Sequence, residues 1–169
     1  MARIAVVLGN DFEDVEFRQP ADCLTEAGHQ LTVVGSKPGE VEGKRHQERV
    51  TVEATPADVR PDQFDALLIP GGFSPDHLRT DETIVAFVKH FHDDGKLIAA
   101  VCHGPSLLVD AEVVRDHRLT SWPSIRKDLV NAGGVVVDEE VVVDGKLITS
   151  RKPDDLPAFC NAILENLPG

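Results

Sequence analysis

Cysteine is scarce in this chain: three of 169 residues, at positions 23, 102 and 160. None forms a Cys-x-x-Cys pair, and the spacing excludes a disulfide framework. A reducing compartment, and so a cytoplasmic location, is expected. Positive charge is short as well. Lys and Arg number 17 against 29 Asp and Glu, a net charge of −12. Phosphates reward Lys and Arg, so neither nucleic acid nor an anionic membrane is expected as a general partner. No apolar run reaches membrane length, and the start, Met1-Ala-Arg-Ile-Ala-Val-Val-Leu8, lacks a signal peptide's long apolar core and cleavage site. His90 and His92 stand two apart on an expected helix and do not share a face, while the other histidines are scattered. No metal and no cofactor is therefore expected. Internal repeats are absent too, and 169 residues suit one domain, residues 1–169, able to bury roughly two thirds of its unfolded surface.

What is present is an alternation of short apolar runs and amphipathic segments. Ile4–Leu8, Leu31–Gly35, Ala66–Ile69 and Leu97–Val101 read as strands buried on both faces, several of them closed by glycine. Pro20 interrupts the segment after the first strand, which predicts a short turn over Asp11–Glu16 and a helix from about Pro20 to Ala27. Val41–Val52 predicts a small antiparallel hairpin at the sheet's edge. In the segment Asp81–Asp94, Ile84, Phe87, Val88 and Phe91 follow helical spacing, with Asp81 as N-cap. Ser124 is expected to cap a helix carrying Ile125, Leu129 and Ala132. Asp144-Gly145 between apolar runs predicts a hairpin. A last helix, from near Asp154, places Cys160 on its apolar stripe, and Cys23 is expected in the core as well. Together these segments predict an α/β flavodoxin-like sandwich, a mostly parallel sheet with helices on both faces.

The chemistry concentrates at Leu97-Ile-Ala-Ala-Val-Cys-His-Gly-Pro-Ser106. A buried strand runs into Cys102-His103, Gly104 permits a sharp turn, and Pro105 suits a first helical turn. This is a nucleophile elbow with sulfur in place of oxygen. Helix-terminus amides would favour the thiolate. A cysteine at a strand end is more often packing than chemistry; the adjacent His103 turns the reading toward a nucleophile. Gly71-Gly72, at the same carboxyl edge, would expose amides to an oxyanion. The acidic stretch Asp11-Phe-Glu-Asp-Val-Glu16 is a solvated helix start, or else supplies one carboxyl to the nucleophile.

Asn10-Asp-Phe-Glu-Asp-Val-Glu16, Asp65-Ala-Leu-Leu-Ile-Pro-Gly-Gly72, Ala100-Val-Cys-His-Gly-Pro105, Lys127–Gly133 and Ser150–Leu156 resemble the PfpI/ThiJ (DJ-one) superfamily nearly end to end. The resemblance implies a single PfpI-like (class I glutamine amidotransferase-like) domain. Cys102 then matches the nucleophile, His103 its partner, Glu13 the acid that hydrogen-bonds the sulfur, and Gly72 an oxyanion donor. Asp76 matches the carboxylate that a neighbouring subunit lends to the His in the peptidase-like branch, so a homodimer or hexamer is implied. Three functions follow as expectations. The first is a stress-protective enzyme acting on α-oxoaldehydes such as methylglyoxal, or on glycated-protein adducts. The second is an intracellular cysteine peptidase, and the third a non-enzymatic redox sensor through Cys102. An amidotransferase would require a later His-x-Glu pair, and none follows His117, the last histidine.

Overall fold

The computed structural model describes residues 1–169. In chain order it runs β1 (Arg3–Val7), α1 (Asp14–Glu26), β2 (Gln30–Val34), β3 (Gly39–Glu42), β4 (Arg49–Val52), β5 (Ala66–Ile69), α2 (Ser74–Leu78) and α3 (Glu82–Asp93). There follow β6 (Leu97–Val101), α4 (Pro105–Asp110), β7 (Arg118–Leu119), α5 (Arg126–Asn131), β8 (Val135–Val136), β9 (Val142–Asp144), β10 (Leu147–Ser150) and α6 (Leu156–Asn166). Six strands form the central sheet in the order β2-β1-β5-β6-β10-β9, parallel throughout except for the β10–β9 edge. The first four follow flavodoxin order, and the α/β sandwich expected from the sequence is the fold.

The strands are apolar on both sides because both faces are covered. Ala5, Val7, Leu67, Ile69, Ile98 and Ala100 join a core with Ile84, Phe87, Val88 and Phe91 of α3 and with residues of α4 and α5. Their alternate neighbours Ile4, Val6, Ala66, Leu68, Leu97, Ala99 and Val101 pack with Leu24 of α1 and Leu156, Phe159 and Ile163 of α6. Period-two alternation thus feeds two cores from one sheet. On α3, Asp81 accepts a hydrogen bond from the Thr83 amide at 2.9 Å, which is the N-cap the sequence predicts.

One local expectation is revised and two are refined. The first helix begins at Asp14 and carries Pro20 inside it; the proline forfeits one i→i−4 bond to the Glu16 carbonyl, but burial of Glu16, Pro20 and Leu24 along one side holds the segment helical. The β3–β4 hairpin is a separate two-stranded sheet, touching the β2 edge through an isolated Val34–Ala54 bridge. Asp144 pairs with Leu147, so Gly145 (φ 59°) and Lys146 form the turn between β9 and β10.

Candidate active site

β6 ends at Val101, and Cys102 follows with φ 63°, the left-handed region that a side chain occupies only at a cost. Around that turn, Cys102 donates its amide to the Ser150 carbonyl at 3.0 Å, its own carbonyl accepts from Trp122 at 2.9 Å, and the Gly104 amide reaches Val101 at 2.8 Å. Those bonds hold the strain in place. A Cβ at Gly104 would stand 2.7 Å from the Ile69 carbonyl oxygen, so the elbow requires glycine there. The helix beyond, α4, is only six residues long, and the backbone amides that favour a charged Cys102 sulfur are those of Gly72 and His103.

The carboxyl beside the sulfur is Glu16, not Glu13. Glu16 is fully buried. Its Oε1 accepts the Gly71 amide at 3.0 Å, its Oε2 has no nitrogen or oxygen partner, and the carboxyl interacts with the Cys102 thiol. Burial, and after it the negative charge of Glu13, pushes Glu16 up to about 8. Glu13 is turned elsewhere by a pair of cations: Lys44 Nζ lies 2.8 Å from Oε2, and Arg45 Nε binds Oε1. Burial raises its pKa, but the hydrogen bonds and charges of Arg45 and Lys44 outweigh that and hold Glu13 below the usual carboxylate range. Two carboxyls three residues apart are thus driven to opposite states, one ionised and one neutral near pH 7.

Asp14, at the first position of α1, fixes this arrangement. Its carboxylate accepts the amides of Arg45 at 2.8 Å, Gln47 at 3.0 Å and Glu48 at 2.9 Å. It thereby pins the β3–β4 tip that delivers Lys44 and Arg45. Burial would raise Asp14, but these amides hold it below its ordinary value. A Cβ at Gly43 would run into the Asp14 carboxylate.

Burial, and then the charge of Glu16, raises the Cys102 thiol, against the pull of the Gly72 and His103 amides. Burial and an ionised Glu16 thus work against the thiolate that these amides favour, so the state of the Cys102 proton is tied to that of Glu16. His103 Nδ1 lies 3.4 Å from Cys102 Sγ, and its Nε2 lies 3.3 Å from Ser124 Oγ. The ring stacks on Trp122, with centroids 6.2 Å apart and planes at 27°. Burial and the charge of Lys44 lower His103, against an upward pull from Asp76. Asp76 stands exposed on α2; it reaches His103 by charge within the same chain, with no hydrogen bond between them. Ser124 is not a helix cap; its hydroxyl belongs to the His103 environment.

Sequence reasoning missed Glu16, Ser124 and Trp122. For Glu16 a signal was present: positions 16, 20 and 24 share a helical face that Pro20 and Leu24 mark as buried. Ending the turn at Glu16 and starting the helix at Pro20 erased that face. Ser124 and Trp122 reach the site from a distant loop, and local pattern carries no such information.

The sequence profile of the DJ-1/PfpI family matches residues 2–166. General stress protein 18 of Bacillus subtilis is 52% identical over 159 residues, covering 93% of this chain and 92% of that protein. An uncharacterized protein of Staphylococcus saprophyticus is 46% identical over 168 residues, covering 98% and 97%. Among solved structures, Drosophila melanogaster DJ-1beta superimposes with a TM-score of 0.90 at 33% identity, over 98% of this chain and 90% of that one. A two-domain Anabaena variabilis protein with DJ-1/ThiJ/PfpI-like and ferritin-like domains gives 0.96 at 39% identity, over 100% of this chain and 50% of that one. This chain thus spans half of that two-domain protein. No helix is long and apolar enough to cross a membrane. From Asn10 to the last helix, then, the resemblance carried by the Cys-His-Gly-Pro turn is a family relationship: the chain belongs to the DJ-1/PfpI family.

Proposed function

We propose that this protein is a cysteine-dependent, stress-protective enzyme acting on α-oxoaldehydes such as methylglyoxal, or on the adducts they form with proteins. Cys102 is the nucleophile and Glu16 the acid and base. The observation that carries the reading is the fully buried Glu16 carboxyl, held by the Gly71 amide and directed at the thiol. Similarity to a protein named for general stress supports the physiological setting.

The steps balance within one chain. Ionised Glu16 takes the thiol proton as sulfur adds to the aldehyde carbon, and then gives that proton to the former carbonyl oxygen, leaving a hemithioacetal. The Gly72 amide, beside the sulfur, is available to the oxyanion formed on the way. Glu16 next removes hydrogen from the carbon bearing sulfur and returns it to the neighbouring carbon, while the hydroxyl proton moves to the adjacent oxygen. The product is a 2-hydroxythioester. Water cleaves it to lactate and restores the thiol.

Peptide cleavage asks more of His103, which must protonate a poor leaving amine while an acidic partner orients it. In this chain Nε2 meets the Ser124 hydroxyl instead of a carboxylate, so aldehyde chemistry is favoured. Purified wild type and Cys102→Ala should be assayed in parallel on methylglyoxal and casein. Lactate formation lost in Cys102→Ala, with casein intact, is the expected result. Casein cleavage that depends on Cys102, without methylglyoxal turnover, would establish the peptidase instead.

A further inference from the structure

The other two cysteines, far apart in sequence, are brought together by the fold. Cys23 lies in the C-terminal half of α1 and Cys160 near the middle of α6, and these two helices pack against each other on one face of the sheet. Across this packing the two side chains are neighbours, and Cys23 is the group that acts on the Cys160 thiol. Their surroundings differ. Cys160 is 4% exposed and sits in the core, as its helical stripe predicts. Cys23, expected there as well, is only half-buried and helps to wall a surface depression of about 390 Å³ with Arg18, Gln19, Asp22 and Glu26. One sulfur is therefore open to a small oxidant and the other is sheltered behind it.

We propose that Cys23 and Cys160 are a reversible thiol–disulfide pair, closed by peroxide, that ties α1 to α6 independently of Cys102. The Cys23 sulfur attacks one peroxide oxygen and the O–O bond breaks. The sulfur is oxidised to sulfenic acid, and the peroxide is reduced to water, which takes up the thiol proton. Cys160 sulfur then attacks Cys23 sulfur, the S–O bond breaks, and the departing hydroxide leaves as water with the Cys160 proton. A dithiol reductant reverses the change. Burial and the neighbouring Cys23 push the Cys160 thiol up to about 12, so it remains a thiol until the sulfenic acid forms beside it and serves as the resolving partner. The bond joins the first helix, which bears Glu16, to the last helix of the chain. By closing so long a loop it raises the resistance of the oxidised form to denaturant.

The test uses the full-length protein, as wild type and as Cys102→Ser, so that in the second only Cys23 and Cys160 titrate. Each is reduced, exposed to hydrogen peroxide, quenched, and examined under denaturing, non-reducing conditions. The expected result in Cys102→Ser is a monomer lighter by two hydrogens, with no free thiol, a Cys23–Cys160 cross-linked peptide, and full reversal by dithiothreitol. Cys23→Ser in the same background should keep Cys160 free, and wild type should yield the same cross-linked peptide. Three results would overturn the proposal: Cys160 still free while Cys23 carries a sulfinic acid, Cys23 joined to a second molecule, or Cys23 joined to Cys102. Since wild type is mapped directly, the outcome does not depend on how well a variant folds.

Discussion

The Gly71 amide donates a 3.0 Å hydrogen bond to Glu16 Oε1, and this contact joins the loop after β5 to the acid on α1 at the point where both meet Cys102. A Cβ on Gly71 would stand 2.5 Å from that same oxygen and 2.8 Å from Cys102 Cβ. Only a residue without a side chain lets the carboxyl and the thiol share the space.

Gly71→Ala should therefore displace the acid from the thiol while the fold survives. Overpacking of this kind costs about 1–3 kcal/mol, and an ångström-scale misplacement of a reacting group costs on the order of 100-fold in rate. Methylglyoxal turnover and the urea midpoint should be measured together. A large loss of turnover with a modest stability change is expected.

Glu16 also makes a stability prediction. Its folded value is raised to about 8 from 4.5, so between those values the folded chain holds a proton that the unfolded chain has released. Stability from this group is full below about pH 4.5 and is lost as pH rises through about 8, by on the order of 5 kcal/mol. Glu16→Gln stays neutral at every pH. Denaturant unfolding from pH 5 to 8.5 should show the variant gaining steadily on wild type as pH rises.

The same group sets the reactivity of Cys102. Because Glu16 must lose its proton before it can take one from the thiol, Cys102 alkylation by iodoacetamide should rise through about pH 8. A Cys23→Ser background keeps the half-buried thiol out of the reading. Glu13→Gln removes the charge that is the second push on Glu16 and leaves Lys44 without its counter-ion, so the limb should move to lower pH. In Glu16→Gln that limb should disappear.

Asp14 carries the loop that neutralises Glu13. Asp14→Ala leaves the Arg45, Gln47 and Glu48 amides without their acceptor, at about 2–3 kcal/mol. Asp22→Ala, at an exposed position of the same helix, should change stability by no more than about 0.5 kcal/mol. Equilibrium urea unfolding of the two variants makes the comparison.

Much of this was legible in the residues. Apolar runs ending in glycine gave the strands and the sheet's carboxyl edge, and Val101-Cys-His-Gly-Pro105 gave the elbow, because each rests on local backbone chemistry. The acid was harder. A proline conventionally ends a helix, so Pro20 hid the face shared by Glu16, Pro20 and Leu24. Glu13 and Glu16 look alike in sequence, yet one meets Lys44 and Arg45 while the other meets Gly71 and a thiol. That difference arises from a hairpin tip more than 25 residues away, held by Asp14. The forces on the thiol divide in the same way: the His103 amide, local to the elbow, favours the thiolate, while burial and Glu16, both products of tertiary packing, act in the other direction.

The identity of the acid is tested most directly by initial rates of lactate formation from methylglyoxal, measured side by side for wild type, Glu16→Gln and Glu13→Gln. Glu16→Gln should fall by on the order of 100-fold or more, the usual contribution of a positioned acid–base group. Glu13→Gln should keep turnover, with its pH limb displaced toward acid. Full turnover in Glu16→Gln together with loss in Glu13→Gln would contradict the account and return the catalytic role to Glu13.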